Sequence, residues 1–174
     1  YFISGELRSI ADADPSAVGI WKVKDSKLDY LKENPFRLSE NGSGFKNNAR
    51  WLTSDDLENV QAKPNAQNKR FNITAKLDFK PGKNTNFSLG GSYYARENRN
   101  FSRWRSLLSS TNNSLTTENT YRIFGKLTQK FGSDESSEES SSSTIKNAFF
   151  TIQGDYTNYK ETYSDAEHLD KVFH

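Results

Sequence analysis

The stretch FNITAKLDFKPGKNTNFSLGGSYYA, residues 71–95, predicts two β-strands joined by one tight turn. Apolar or small residues occupy every second position on both sides of the turn, and polar residues occupy most of the positions between them. This period of two is typical of a strand with two different faces. The turn falls at Pro81-Gly82-Lys83-Asn84, where proline, glycine and asparagine favour a chain reversal. The apolar face is predicted to carry Phe71, Ile73, Ala75, Leu77, Phe79, Phe87, Leu89, Gly91, Tyr93 and Ala95.

Similar alternation recurs along the chain and predicts an all-β fold. We expect five strands, at 1–9, 70–80, 85–96, 120–131 and 147–159. Phe124 and Gln129 interrupt the alternation of the fourth strand. We expect polar surface loops at 10–68, 97–118 and 160–174, and a mobile turn in the serine- and glutamate-rich tract 132–144. Within the first loop we expect two helical turns over 25–33 and a helix N-cap at Ser54.

The composition argues against a filled hydrophobic core. Hydrophobic residues make up 33% of the chain and aromatic residues 13%, with a mean hydropathy of -0.90. This combination suits a wall one side chain thick, apolar outside and polar inside, and also a secreted, polar, partly disordered protein. The absence of cysteine excludes disulfides and thiolate metal sites, and a net charge of +2 does not indicate a nucleic-acid partner. Because the chain opens inside a strand pattern and contains no methionine, we interpret it as a fragment of a longer polypeptide.

Alternation alone fits either a soluble sandwich or a membrane barrel. Short turns on one side and long loops on the other favour part of a large antiparallel transmembrane β-barrel with long extracellular loops. A lysine or arginine at the middle of the lipid face costs about 2–4 kcal/mol, so the polar face is expected to look into the lumen. The residues predicted to face the lumen are Asn72, Thr74, Lys76, Asp78, Arg122 and Lys126. Five strands do not close a barrel, which needs about eight at the least, so the remaining strands must come from elsewhere in the polypeptide.

The strand sequences RFNITAKLDFKPGKNTNFSLGGSYY, NTYRIFGKLTQKFG and IKNAFFTIQGDYTNY resemble the early barrel strands of TonB-dependent outer-membrane receptors of the SusC-like branch. The segments YFISGEL and WLTSDDLENVQAKPNAQNKR are similar to the region just after the plug in those receptors. The resemblance implies a barrel of about 22 strands in the bacterial outer membrane, plugged by an N-terminal domain. It also implies energy-coupled import of a glycan, peptide or metal chelate. The implied partners are outer-membrane lipid, a surface lipoprotein and the TonB complex, which would be contacted through parts of the chain not present here.

The segment YYARENRNFSRWR, residues 93–105, mixes aromatic rings with arginines. We interpret it mainly as the end of a strand entering a surface loop, and as a candidate contact for lipid phosphates or a ligand. The composition also occurs in proteins that bind single-stranded nucleic acid, an interpretation we rank below the other two. The candidate contact residues are Arg96, Arg99, Arg103, Trp104 and Arg105.

Catalytic and metal-binding residues are not indicated by the sequence. His168 and His174 lie in the polar tail at no spacing typical of zinc or iron, and we interpret them as solvated loop residues. Since no nucleophile motif accompanies them, we expect neither an enzyme nor a cofactor. The leading hypothesis is a segment of a TonB-dependent transporter. The alternatives are a passive or structural outer-membrane barrel and a soluble, secreted β-sandwich that binds a partner through its loops.

Overall fold

The fold was analysed in a computed structural model that describes residues 1–131, 148–166, 168 and 169. The predicted mobile turn 132–144 and His174 lie outside the described residues. The chain divides into two compact units. Unit 1 comprises Tyr1–Arg8, Arg70–Arg96 and Glu118–Glu161, and unit 2 comprises Ser9–Lys69, Glu97–Thr117 and Thr162–His174.

Most of the described residues are in antiparallel strands, so the predicted all-β class is confirmed. In chain order the elements are β1 (Phe2–Ile10), β2 (Ile20–Val23), α1 (Asp25–Glu33), β3 (Phe36–Leu38), β4 (Phe45–Asn47), β5 (Leu57–Val60), β6 (Asn68–Gly82), β7 (Thr85–Arg99), β8 (Leu115–Phe131) and β9 (Ala148–Ser164). Five of these strands form one sheet in the order β1-β6-β7-β8-β9. Within the described residues this sheet is open, with β1 and β9 as its edges.

The five strands of the large sheet overlap the five predicted segments, but most are longer. β8 begins at Leu115 rather than at residue 120, and β9 continues to Ser164, into the segment predicted as a loop from residue 160. β7 likewise continues to Arg99, into the loop predicted from residue 97. The backbone hydrogen-bond ladder does not require apolar side chains, so it continues where the alternation has ended.

Ring contacts between neighbouring strands join residues of the predicted apolar face. The ring centroids of Phe71 and Tyr93 are 6.1 Å apart, those of Tyr121 and Tyr156 are 5.9 Å apart, and those of Phe131 and Phe150 are 5.6 Å apart. Polar contacts join residues of the other face, as in the ion pair between Arg122 Nη2 and Asp155 Oδ2 at 3.0 Å. The strand register therefore keeps the two faces separate across the sheet.

Phe124, which interrupts the alternation of apolar and polar residues in β8, lies on the polar face of the sheet. A Cβ atom at Gly90 would lie 2.5 Å from Phe124 Cζ, so the ring occupies the space that a side chain at residue 90 would fill. The irregularity in β8 is thus matched by a glycine in β7. An aromatic ring that covers a cross-strand glycine shields the exposed backbone and helps to fix the register.

Unit 2 folds the segment predicted as a long loop into short regular elements. β2 pairs with β5 and β3 pairs with β4, both antiparallel. The helix α1 spans Asp25–Glu33, as expected, and the predicted N-cap at Ser54 is wrong by one residue. Thr53 is the N-cap residue of the short 3-10 turn Ser54–Asp56, and the Asp56 carboxylate accepts a hydrogen bond from the Thr53 backbone N at 3.0 Å. Within the described ranges, no helix has the length and apolar character needed to cross a membrane.

Burial differs sharply between the units. Every side chain that is buried within the described part of the chain belongs to unit 2. The buried apolar residues are Ile20, Val23 and Leu31, and the buried polar residues are Ser39, Asn48, Asn68, Ser106, Asn113, Ser114 and Thr116. The described part of unit 1 is therefore a single layer of strands without a core.

Candidate functional site

Most large side chains on the apolar face of the sheet are exposed. Within β1, β6, β7, β8 and β9 the exposed ones range from 36% at Ile73 to 80% at Leu7, whereas Leu127 on the same face is half-buried. In β6 and β7 the exposed members are Phe71, Ile73, Leu77, Phe79, Phe87, Leu89 and Tyr93. In β1, β8 and β9 they are Ile3, Leu7, Tyr121, Ile123, Phe131, Phe150, Ile152 and Tyr156.

The extent of this face separates it from an ordinary protein surface. Large apolar and aromatic side chains that are roughly half exposed contribute about 80 Å² each, so the face presents on the order of 1,000 Å². The largest apolar patch on a typical soluble monomer is about 300–600 Å². A face of this size is typical of a surface that is covered by a partner or by lipid.

Glycine and alanine make a shallow depression near the middle of the apolar face. The depression has a volume of ≈ 530 Å³ and is lined by Ile3, Ala75, Leu77, Leu89, Gly91 and Ile123, among others. Gly91 is needed there because a Cβ atom at this position would lie 2.7 Å from the backbone oxygen of Arg122. β7 and β8 approach too closely at this point for any other residue without a shift of one strand.

The polar face carries the residues predicted to line a lumen. Lys76 Nζ lies 2.9 Å from Asp78 Oδ1, and Ser88 of the neighbouring strand donates to the same carboxylate oxygen at 2.5 Å. Arg122 is paired with Asp155, and Thr128 Oγ1 lies 3.1 Å from Thr151 Oγ1. Asn72 and Thr74 alternate with the apolar residues of β6, and the exposed Lys126 alternates with those of β8. Two of the cations on this face, Lys76 and Arg122, are thus paired with carboxylates of the same sheet.

The arginine-rich segment is divided between the two units. Arg96, in unit 1, is paired with Glu118 at 3.1 Å. In unit 2, Arg99 Nη1 donates to the Thr111 oxygen at 3.0 Å and Arg105 donates to the Asn112 oxygen. Arg103 is exposed and Trp104 is 97% exposed. The structure therefore uses three of the four arginines in local contacts and leaves Trp104 and Arg103 in solvent.

Unit 2 contains a polar core that the sequence did not indicate. Asn113 is fully buried, and its amide donates to the backbone oxygens of Asn65 at 3.0 Å and Pro64 at 3.3 Å. Its Oδ1 accepts from the backbone N of Ser102 at 3.3 Å. One side chain thus joins two separate loop segments, at 64–65 and at Ser102, to the loop before β8. In the sequence Asn113 stands in SSTNNS, which has the composition of any exposed loop.

A carboxylate holds another pair of loops in unit 2. Asp12 accepts hydrogen bonds from the backbone N of Lys63 at 2.6 Å and of Asp14 at 3.0 Å. Burial acts to raise the pKa of Asp12, but these hydrogen bonds and the Lys63 ammonium group outweigh it, so the pKa lies below its ordinary value. At neutral pH the charged Asp12 side chain therefore links its own loop to the loop at Lys63.

Metal binding finds no support in the described part of the chain. No group of three or more histidine, cysteine, aspartate or glutamate residues is placed there to hold an ion. His168 is exposed, and its backbone N donates to Asp165 Oδ1 at 3.0 Å.

Comparison of the chain with protein-family models, with curated proteins and with solved structures finds no match.

Proposed function

We propose that this chain is a segment of a TonB-dependent transporter of the bacterial outer membrane, in which it contributes five wall strands and surface loops. The single observation that carries the proposal is a sheet whose apolar face is exposed and whose described residues bury no side chain. A sheet of this kind needs a second apolar layer to be stable, and hydrocarbon supplies one.

The distribution of charge supports lipid as that layer. Within 71–79, 87–95, 121–131 and 148–156, none of the apolar-face positions holds a charged residue. The charges of the same strands lie on the other face, at residues such as Lys76, Arg122 and Lys126. An arginine or lysine toward lipid costs about 2–4 kcal/mol at mid-membrane, whereas in a water-filled lumen it costs little.

The length of the apolar band also supports this orientation. β8 has 17 residues, and its apolar face extends from Tyr121 to Phe131. At about 3.4 Å per residue these positions span about 34 Å, and a strand tilt of about 40° leaves about 26 Å along the membrane normal. The outward apolar band of outer-membrane barrels is about 25 Å tall. Rings at both ends of the band, Tyr121 and Phe131, suit the membrane interfaces.

Two alternatives predict different behaviour. A passive or structural barrel would share the same wall strands, so only energy dependence distinguishes it from a transporter. A soluble β-sandwich would bury one face of the sheet. The exposure of most large side chains on the apolar face argues against that arrangement within the described part of unit 1. The resemblance of three strand sequences to TonB-dependent receptors favours the transporter among the three.

The orientation of the faces is testable because the chain contains no cysteine. Single cysteines would be placed at Ile73 and Leu77 on one face and at Thr74 and Lys76 on the other, in the full-length polypeptide reconstituted in vesicles. Each would carry an environment-sensitive dye. We expect lipids with a quencher on the acyl chain to quench the dye at residues 73 and 77, and iodide to quench it at 74 and 76. Lipid quenching at 74 and 76 would refute the proposal.

Energy coupling requires a separate experiment in the bacterium that makes the protein. Uptake of candidate glycans, peptides and metal chelates would be compared in cells with the full-length gene, without it, and without the TonB complex. We expect one ligand whose uptake needs both. Uptake that needs the gene but survives loss of the TonB complex would identify a passive barrel instead.

A further inference from the structure

Unit 2 contains a pocket of ≈ 520 Å³. Its walls come from α1, from the loop before β8, from Asn65 and from the last residue of β7. The volume lies within the range of about 300–1,000 Å³ that is usual for small-molecule sites. The residues that matter for its chemistry are Leu28, Lys32, Asn65, Arg99, Ser109 and Thr111.

The pocket is positively charged. Lys32 and Arg99 line it, and among the described residues of its lining none is acidic. Within the described residues no carboxylate lies within ion-pair distance of Arg99, which donates through Nη1 to the Thr111 oxygen and whose buried Nε has no partner. Lys32 Nζ lies 3.3 Å from Asp29, but both side chains are about two-thirds exposed, and such a pair contributes little. Two cations thus lie at one pocket without strong compensation.

Hydrogen bonds hold the pocket wall in place before any ligand arrives. Asn65 Nδ2 donates to Ser110 Oγ at 3.0 Å, and the backbone N of Ser109 donates to the Arg105 oxygen at 2.9 Å. The buried Asn113 side chain holds the backbone of Asn65 by donating a hydrogen bond to its oxygen at 3.0 Å. A wall that is already ordered loses little conformational entropy on binding.

We propose that this pocket binds a small, hydroxyl-bearing carboxylate of the sugar-acid class. A carboxylate suits Arg99, whose planar guanidinium group forms paired hydrogen bonds with it, and Lys32 adds a second charge. The hydroxyl groups of Ser109 and Thr111 and the amide of Asn65 match ligand hydroxyls, and Leu28 offers an apolar surface for the C–H face of a sugar ring. All of these residues lie in unit 2, so the inference does not depend on the membrane assignment of unit 1.

The test is calorimetric titration of the full-length polypeptide, reconstituted in vesicles, with sodium D-glucuronate, with D-glucose as the neutral probe of the same ring. We expect millimolar binding of glucuronate and at least about tenfold weaker binding of glucose, because only the former pairs with Arg99. Lys32→Gln is expected to weaken glucuronate about threefold and Arg99→Gln about tenfold or more. Lys46→Gln, which removes an exposed cation of unit 2 outside the pocket lining, is the matched control and should change affinity less than twofold.

Because Arg99 also holds Thr111, a thermal melt of each variant accompanies the titrations. Arg99→Lys keeps the charge and should retain more affinity than Arg99→Gln. If Arg99→Gln fails to fold, the comparison of Lys32→Gln with Lys46→Gln decides. Equal binding of glucose and glucuronate, equal losses in Lys32→Gln and Lys46→Gln, or no binding of glucuronate up to about 50 mM would each overturn the inference.

Discussion

Units 1 and 2 distribute their side chains in opposite ways. Unit 1 has the regular alternation and the large apolar residues, yet none of its described side chains is buried. Unit 2 is rich in asparagine, serine and lysine, yet it contains every buried residue of the described chain. Regular alternation in this chain thus accompanies an exposed apolar face, whereas the buried residues come from the irregular segments.

The two units consequently depend on different interactions. A single-layer sheet forms its backbone hydrogen bonds internally, but its apolar face leaves water only when a second apolar layer covers it. Unit 2 instead satisfies buried amides and hydroxyls with one another, so the loss of one partner leaves another buried group unpaired. In unit 1, substitutions should therefore lower the free energy of unfolding mainly on the apolar face. In unit 2, they should lower it at the buried polar positions.

The largest expected effect is a charge placed on the apolar face. Ala75→Arg in the full-length protein should lower the free energy of unfolding in lipid vesicles by about 2–4 kcal/mol. Thr74→Arg, at the next position on the polar face, is the matched control and should change it by less than about 1 kcal/mol. Denaturant titration in vesicles measures both. Equal costs at the two positions would mean that the faces do not meet different surroundings.

The next effect concerns the polar core of unit 2. Asn113→Ala removes a fully buried side chain that makes three hydrogen bonds, and the backbone groups left without partners should cost about 2 kcal/mol. The neighbouring Asn112 is exposed, so Asn112→Ala should cost less than about 0.5 kcal/mol. Hydrogen exchange of unit 2 amides would report the difference. A neutral Asn113→Ala would show that the buried amide is dispensable.

A smaller effect is expected from glycines within the large sheet. Gly91→Ala brings a methyl group to 2.7 Å from a backbone oxygen of β8 and should cost about 1–2 kcal/mol, because a strand has to move. Gly154→Ala meets nothing within 4 Å and should be neutral or stabilise by up to about 0.5 kcal/mol. Unfolding in vesicles separates the two variants, and identical results would contradict the close approach at Gly91.

The smallest effect depends on pH. The lowered pKa of Asp12 means that its charged form stabilises unit 2 at pH values above its ordinary pKa, and that this contribution is lost as the pH falls through the folded-state pKa. Asp12→Asn should therefore cost about 1 kcal/mol at pH 7 and progressively less below about pH 4.

Asp14→Asn serves as the control for this measurement. The Asp14 side chain is 94% exposed, and its ion pair with Lys63 should contribute less than about 0.5 kcal/mol. Thermal melts between pH 7 and pH 3 compare the two variants. A cost of Asp12→Asn that does not change over this range would contradict the role of the charge.

The sequence predicted the strands of the large sheet and its two faces because alternation is a local signal. It also predicted α1 at Asp25–Glu33, where Asn34 and Pro35 end the helix. It could not predict the four short strands β2, β3, β4 and β5, the polar core around Asn113, or the pocket at Arg99. These features depend on contacts between residues far apart in the chain, such as Asn113 with Pro64, and short strands in polar segments carry no period. Phe124 shows the same limit, since its partner Gly90 is known only from the register.

The order of the large sheet, β1-β6-β7-β8-β9, has a consequence for how the sheet assembles. β6, β7, β8 and β9 are neighbours in the chain as well as in the sheet, so each joins its predecessor by closing a comparatively short loop. β1 reaches β6 only after the whole segment between them, most of unit 2, has been bridged. Loop-closure entropy makes that pairing the slow one, and a unit 2 that is already folded shortens the effective loop. We therefore expect early folding of unit 2 to speed the pairing of β1 with β6.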